Sequence, residues 1–180
     1  MSQASRHVEW CIRKAAEEIA ECERLSKRPK HRGLIKTKEN EKEAKEHIEK
    51  AQENLSLTLS LDKKKFGYIA ISTVFYAAYH CFLAIAAKFG YESGNQKCTI
   101  ALVEYLKEEK KIDLDQKFIE MMKYEEEQED KQYLSMIDLR EDYTYSAKVT
   151  VEEEKIENLI RLCKELLEAT KEIIYKEIPS

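Results

Sequence analysis

FGYIAISTVFYAAYHCFLAIAA, residues 66–87, is an uncharged run inside a chain in which 37% of the residues are charged. A helix apolar on both faces is either the central helix of a bundle or a membrane span, and this run is long enough for either. Small or polar side chains recur at Ala70, Thr73, Ala77, His80, Ala84 and Ala87. That alternating three-and-four spacing lines one helix face and lets a neighbouring helix approach closely. Bulkier Ile71, Val74, Phe75, Ala78, Phe82, Ile85 and Phe89 fill the opposite side. Ser72, Thr73, Tyr76, Tyr79 and His80 place hydroxyls and an imidazole mid-run, which lipid penalises, and no aromatic belt brackets the segment. The expectation is a buried core helix with no membrane contact.

Working outward, 180 residues suit one hydrophobic core that buries roughly 70% of the surface of the unfolded chain. Only two prolines occur, Pro29 and Pro179, and four glycines, so strand and turn punctuation is nearly absent. The fold class expected is all-α: an up-and-down bundle of four to five core helices with an additional N-terminal helix. Residues 1–36 read as that helix and a basic connector, and residues 37–180 as the bundle. Five cysteines form no CxxC pair, have no His at ligand spacing and leave an odd one over. That pattern reads as reduced thiols in a cytoplasm, with no disulfide staple needed. MSQASRHVEW at the N-terminus lacks an apolar signal core. The net charge of −4 is mild and names no partner.

Capping signals divide the chain. A first amphipathic helix is expected over residues 7–25, ending before Pro29. Asn40 with Glu43 forms a capping box for the second helix, and Lys63, Lys64 and Lys65 suit that helix's negative C-terminus. Gly90 stops the central helix as a left-handed cap. Ser93 with Gln96 reads as the next box, and Asp113 and Asp115 can cap a fifth helix carrying Phe118, Met122, Tyr133, Ile137 and Arg140. Glu126 and Glu129 fall on its apolar stripe, so its middle is either water-facing or broken. Thr150 with Glu153 forms a box for the last helix.

Catalytic signatures are largely missing: no GxGxxG, P-loop, GxSxG or HExxH is present. His7, His31, His47 and His80 are dispersed, so no metal site and no cofactor are expected. His80, on a stripe of alanines, reads first as a core histidine bonded to a neighbouring helix.

Three segments carry a resemblance. FYAAYH at 75–80, GYESGNQKCTIALVEYL at 90–106 and LREDYTY at 139–145, in that order, resemble the HEPN domain in its small stand-alone prokaryotic branch, over about residues 34–174. The resemblance implies an up-and-down helical bundle, a homodimer, and a role in RNA or nucleotide binding, often in a toxin–antitoxin pair beside a minimal nucleotidyltransferase. Many such proteins are metal-independent ribonucleases whose site pairs an Arg with a His. Here Arg140 is followed by Tyr145 where that His belongs. Arg140 and Tyr145 are thus the candidate catalytic pair. An ordinary phenol titrates near ~10 and is a poor base at neutral pH, so binding survives this replacement better than catalysis. A guanidinium grips phosphate with two parallel hydrogen bonds, and Tyr143 or Tyr145 can stack on a base.

LREDYTY also has a plain structural reading, in which Arg140 ends its helix against the dipole, Asp142 pairs with it and the tyrosines pack beneath the following connection. Asn95 reads first as a cap, although the resemblance brings it near the site. The connector over residues 24–38 holds seven Lys or Arg and no acid. Lys27, Arg28, Lys30 and Arg32 are therefore candidates for phosphate contact, against the alternative of a solvated link. The acidic run at 125–130 reads as solvated, or as a surface for a basic partner. A second functional reading stands beside the first, that of a non-catalytic helical partner subunit of a nucleotidyltransferase.

Overall fold

The uncharged run lies within a helix of 26 residues, Lys63–Lys88, fifteen of which are buried. The computed structural model describes residues 2–129 and 134–176, so the expectations placed on Asp130, Tyr133 and Pro179 lie outside the described residues. In chain order the elements are α1 (Gln3–Arg24), β1 (Leu34–Lys36), α2 (Glu41–Ser60), α3 (Lys63–Lys88), β2 (Tyr91–Ser93), α4 (Gln96–Glu108), α5 (Gln116–Glu120), a 3-10 turn (Glu125–Glu127), α6 (Met136–Tyr145) and α7 (Glu153–Tyr175). The class is all-α, a helical bundle with one two-stranded ribbon.

α3 is the axis, packed against α2, α7, α6, α4 and β2. It is long and apolar enough to cross a membrane by length and composition, but 67% of its most apolar window is buried by the rest of the chain. The small-residue stripe does receive a neighbour. Thr73 meets Thr58 of α2 at 2.7 Å between hydroxyls, and His80 meets His47 of α2. On another side of α3, Cys163 of α7 lies 3.8 Å from the Val74 carbonyl. Phe75, Phe82, Ile71 and Ile85 are essentially inaccessible, so the helix is covered on several flanks at once.

Asn40 caps α2 as expected. Its side chain accepts from the Glu43 N–H at 3.1 Å and donates to the Glu43 carboxylate at 2.8 Å. Gly90 closes α3 at φ +72°, where a Cβ would press on the Thr37 carbonyl. Other boundaries differ from the sequence reading. Lys63, Lys64 and Lys65 open α3 instead of closing α2, because α2 ends at Ser60 and Asp62 takes the N-cap, accepting from the Lys64 and Lys65 N–H groups. Asn95, not Ser93, caps α4, since Ser93 is drawn into β2. Glu152, not Thr150, stands at the start of α7 and makes no side-chain cap bond.

The fifth helix is broken. α5 has only five residues because Glu120 turns inward, 1% exposed, and gathers the following loop. Its carboxylate accepts from Gln116 at 2.8 Å, the Glu129 N–H at 2.8 Å and Lys123 at 3.2 Å, while Lys123 also holds Glu104 at 2.6 Å. Burial alone would raise the Glu120 carboxyl, but these bonds hold it below the usual range. A buried acid with that many donors outcompetes continuation of a helix that would soon run into the acids Glu125, Glu126 and Glu127.

The N-terminal segment is fastened at two points. β1 pairs antiparallel with β2, Leu34 opposite Ser93, so the basic connector carries a strand as well as a link. Cys11 of α1 and Cys98 of α4 form a disulfide with Cα atoms 5.9 Å apart. This corrects the reading of five free thiols: Cys22, Cys81 and Cys163 are free, and the bonded pair is separated by 87 positions, which no local spacing reveals. Cys81 is fully buried, which pushes its thiol up to about 12.

β1 is approached closely by α1. A Cβ at Gly33 would overlap the Cys11 carbonyl oxygen and stand 2.8 Å from the Ala15 nitrogen, both backbone atoms. Gly33→Ala is therefore expected to cost about 1–3 kcal/mol by levering α1 away from the ribbon. Urea unfolding of the variant against the wild-type chain measures this, and an unchanged midpoint would show that α1 is not seated on Gly33.

Candidate functional site

The three motif segments converge where α6 crosses α3. Ser135 caps α6 by accepting from the Asp138 N–H at 3.1 Å, and its hydroxyl donates to the Lys123 carbonyl at 2.8 Å. That anchoring turns Met136, Ile137 and Arg140 inward. Arg140 therefore lies in the middle of α6, not at its end. Its guanidinium carbon sits 5.1 Å from the centre of the Phe75 ring, a cation–π placement. Nη2 donates to Glu141 at 3.2 Å, whereas Nε is buried with no partner among the described residues. Asp142 bonds Lys148 at 2.7 Å, so the pairing of Asp142 with Arg140 is replaced.

Glu141 is shared. Its carboxylate also accepts from the Tyr124 hydroxyl at 3.0 Å, and burial together with that bond pushes the phenol up to about 12. The Tyr124 ring in turn lies under Lys97 of α4, 4.6 Å from the ammonium, and Lys97 pairs with Glu127 at 2.8 Å. From Phe75 an aromatic ladder runs along α3 to Tyr79, whose ring is parallel at 6.0 Å. The Tyr79 hydroxyl meets Thr99 of α4 at 3.1 Å, and Thr99 meets Ser93 at 2.7 Å, beside the Asn95 cap. Arg140 and Asn95 are thus tied to one assembly through Phe75, Tyr79 and Thr99.

The remaining candidates are dispersed. Tyr145 is 78% exposed. It stands five residues from Arg140, about 140° around the helix at 3.6 residues per turn, so the two side chains diverge. Tyr143 is half-buried against the core. Lys27, Arg28, Lys30 and Arg32 are exposed, and none forms a side-chain ion pair among the described residues. Arg32 lies nearest the assembly, its carbonyl 3.8 Å from the Cys98 sulfur. Sequence reasoning passed over Tyr79, Lys97, Tyr124 and Glu141. Three of them fall inside the motif segments, but nothing in spacing alone distinguishes them from neighbouring core or surface positions.

The local field is mixed. Arg140 and Lys97 each face one carboxylate, and a depression of about 480 Å³ beside them is lined by Tyr124, Glu125, Glu126 and Asp138. Any anion must compete with Glu141 and Glu127 for these cations.

A second polar pair lies on another flank of α3. His47 and His80 bring their Nδ1 atoms within 3.0 Å, with the rings stacked at 5.2 Å, so His80 finds its partner on the neighbouring helix. One ring donates to the other only while at least one nitrogen is unprotonated. No family model matches the chain, and no curated protein matches it.

Burial, then the neighbouring His47 and Lys50, lowers His80 to about 4, and burial with Lys50 lowers His47. The unfolded chain then binds more protons than the folded one below the usual imidazole value, so stability rises with pH across this window. Stability is expected to fall as pH drops from about 6.5 toward about 4, with a shallower slope in His80→Gln. Urea midpoints of both proteins across that range measure the difference, and parallel curves would mean the pair is not held neutral.

Proposed function

We propose that this chain is a helical module of the HEPN kind that binds RNA or nucleotide phosphate around Arg140 and does not turn it over. The observation that supports this best is the state of the Arg140 side chain. A guanidinium has five donors, yet among the described residues this one spends a single long bond on Glu141 while nine-tenths buried. A structural arginine at that depth is ordinarily better satisfied, and a half-used buried cation on an aromatic shelf suits an anionic ligand. Lys97 supplies a second cation across Tyr124, and Tyr79 with Tyr124 offers aromatic surface. The exposed connector cations Lys27, Arg28, Lys30 and Arg32 add non-specific attraction for a phosphate chain.

Turnover is not part of the reading. Tyr145 points away from Arg140, and the acid nearest the guanidinium, Glu141, is occupied by Arg140 and Tyr124. Metal-free incubation with RNA is expected to yield no cyclic phosphate ends.

A second reading, a non-catalytic helical partner subunit of a minimal nucleotidyltransferase, draws on a different surface. Ile69, Ser72, Tyr76, His80 and Leu83 form a partly exposed stripe on α3, with Tyr76 42% exposed. A central helix that leaves such a stripe uncovered suits a protein neighbour.

Salt-titrated binding of single-stranded RNA separates the site from a merely structural arginine. Arg140→Ala is expected to weaken binding about tenfold and to reduce the salt slope by about 1, as loss of one phosphate contact does. Glu141→Gln, which frees the guanidinium, is expected to tighten it. Wild-type affinity and slope in both variants, with only thermal stability altered, would overturn the reading.

A further inference from the structure

His7 precedes Cys11 by one helical turn, so both project from the same face of α1, and that face packs on α4 where Cys98 stands in the first turn. Cys11 and Cys98 are inaccessible to solvent, and a ring nitrogen of His7 lies within 4.8 Å of both sulfurs. A disulfide that only staples two helices has no use for an imidazole beside it. His7 makes no hydrogen bond among the described residues; its one ring contact is a tilted one with Trp10 at 5.8 Å.

We propose that Cys11, Cys98 and His7 form a binding site for one zinc-like divalent cation when the two sulfurs are reduced, the disulfide being the alternative state of the same pair. Two thiolates and an imidazole are the donor set favoured by a borderline-soft, tetrahedral cation. The sulfurs must part from bonding contact to about 3.8 Å, the separation that Zn–S bonds of about 2.3 Å impose in a tetrahedron. The expectation of no metal site rested on dispersed histidines and on no His at ligand spacing from a cysteine; His7 does stand four residues before Cys11, and the fold adds Cys98 across 87 positions of sequence.

The fourth position is exchangeable. His7 lines a cleft of about 330 Å³ together with Lys97, Glu104 and Glu127. Lys123 holds Glu104 at 2.6 Å and Lys97 holds Glu127 at 2.8 Å, which leaves water or a small ligand as the fourth donor. A small-molecule disulfide converts the metal-bound state to the disulfide, and two small thiols reverse the step. The two metal-bound thiolates give up two electrons and form the Cys11–Cys98 bond. The small disulfide accepts those electrons, takes up two protons and departs as two thiols, and the cation is released.

The test uses the full chain, reduced anaerobically, cleared of metal and titrated with Co2+. One Co2+ per chain is expected, with the thiolate charge-transfer and tetrahedral visible bands, displaced by Zn2+. The bands are expected to vanish in Cys98→Ser and in the oxidised wild-type chain. His7→Ala is expected to weaken binding by more than about a hundredfold, beyond the roughly 10–100-fold that loss of a supporting residue costs, while leaving oxidation to the disulfide intact. Far-ultraviolet circular dichroism confirms that each variant is folded. A reduced, folded chain without thiolate–Co2+ bands, or with bands indifferent to His7→Ala, would overturn the site and leave the pair a structural disulfide.

Discussion

A helix with no polar face has to be covered, and this requirement on α3 organises the rest of the chain. The helices laid on it are amphipathic: α2 buries Ala44, Ile48, Ala51, Leu55 and Thr58, and α7 buries Ile156, Leu159, Ile160, Cys163, Leu166, Leu167 and Ile174. Neither stripe alone is wide enough to shield α3, so α6 and α4 cover further flanks. Burying a side chain the size of Phe75 or Phe82 stabilises by about 1.5–3 kcal/mol, and α3 contributes many such groups in one continuous row.

Polar groups that enter this apolar frame are handled in two ways. Glu120 is saturated, with Gln116, the Glu129 N–H and Lys123 as donors, and it fixes the loop that replaces a helix. Arg140 is left partly unmatched, with one bond and an orphaned Nε. The contrast matters because both are buried charges in the same region. One behaves as structure, whereas the other retains donors that the fold does not use.

The sequence was legible where local signals are strong and uncontested. The uncharged run, the Asn40 box and the Gly90 stop all act through residues within a turn of one another, and each forms as read. The failures share a cause: a distant partner outcompeted the local signal. Ser93 with Gln96 resembled a cap, but pairing of β2 with β1 claimed Ser93 and passed the role to Asn95. Thr150 and Glu153 had the right spacing, yet α7 starts after Glu152 without a side-chain cap. The stretch after α5 was legible as anomalous through Glu126 and Glu129, but no local signal marks Glu120, whose burial gathers the loop. At the candidate site the motif segments were visible while the links between them, Tyr79 to Thr99 and Lys97 to Tyr124, required the fold.

The first turn of α4 joins these parts of the molecule. Three consecutive residues there reach three different parts of the molecule. Lys97 lies over Tyr124, whose hydroxyl bonds Glu141, Cys98 bonds α1 through Cys11, and Thr99 holds Tyr79 on the central helix. Asn95 fixes that turn by accepting from the Cys98 N–H at 3.2 Å. A close-packed interior transmits small displacements, so any change at Cys98 moves Lys97 and Thr99 with it. The N-terminal helix, which packs on α4 and β1, is therefore connected to the Arg140 region through this turn.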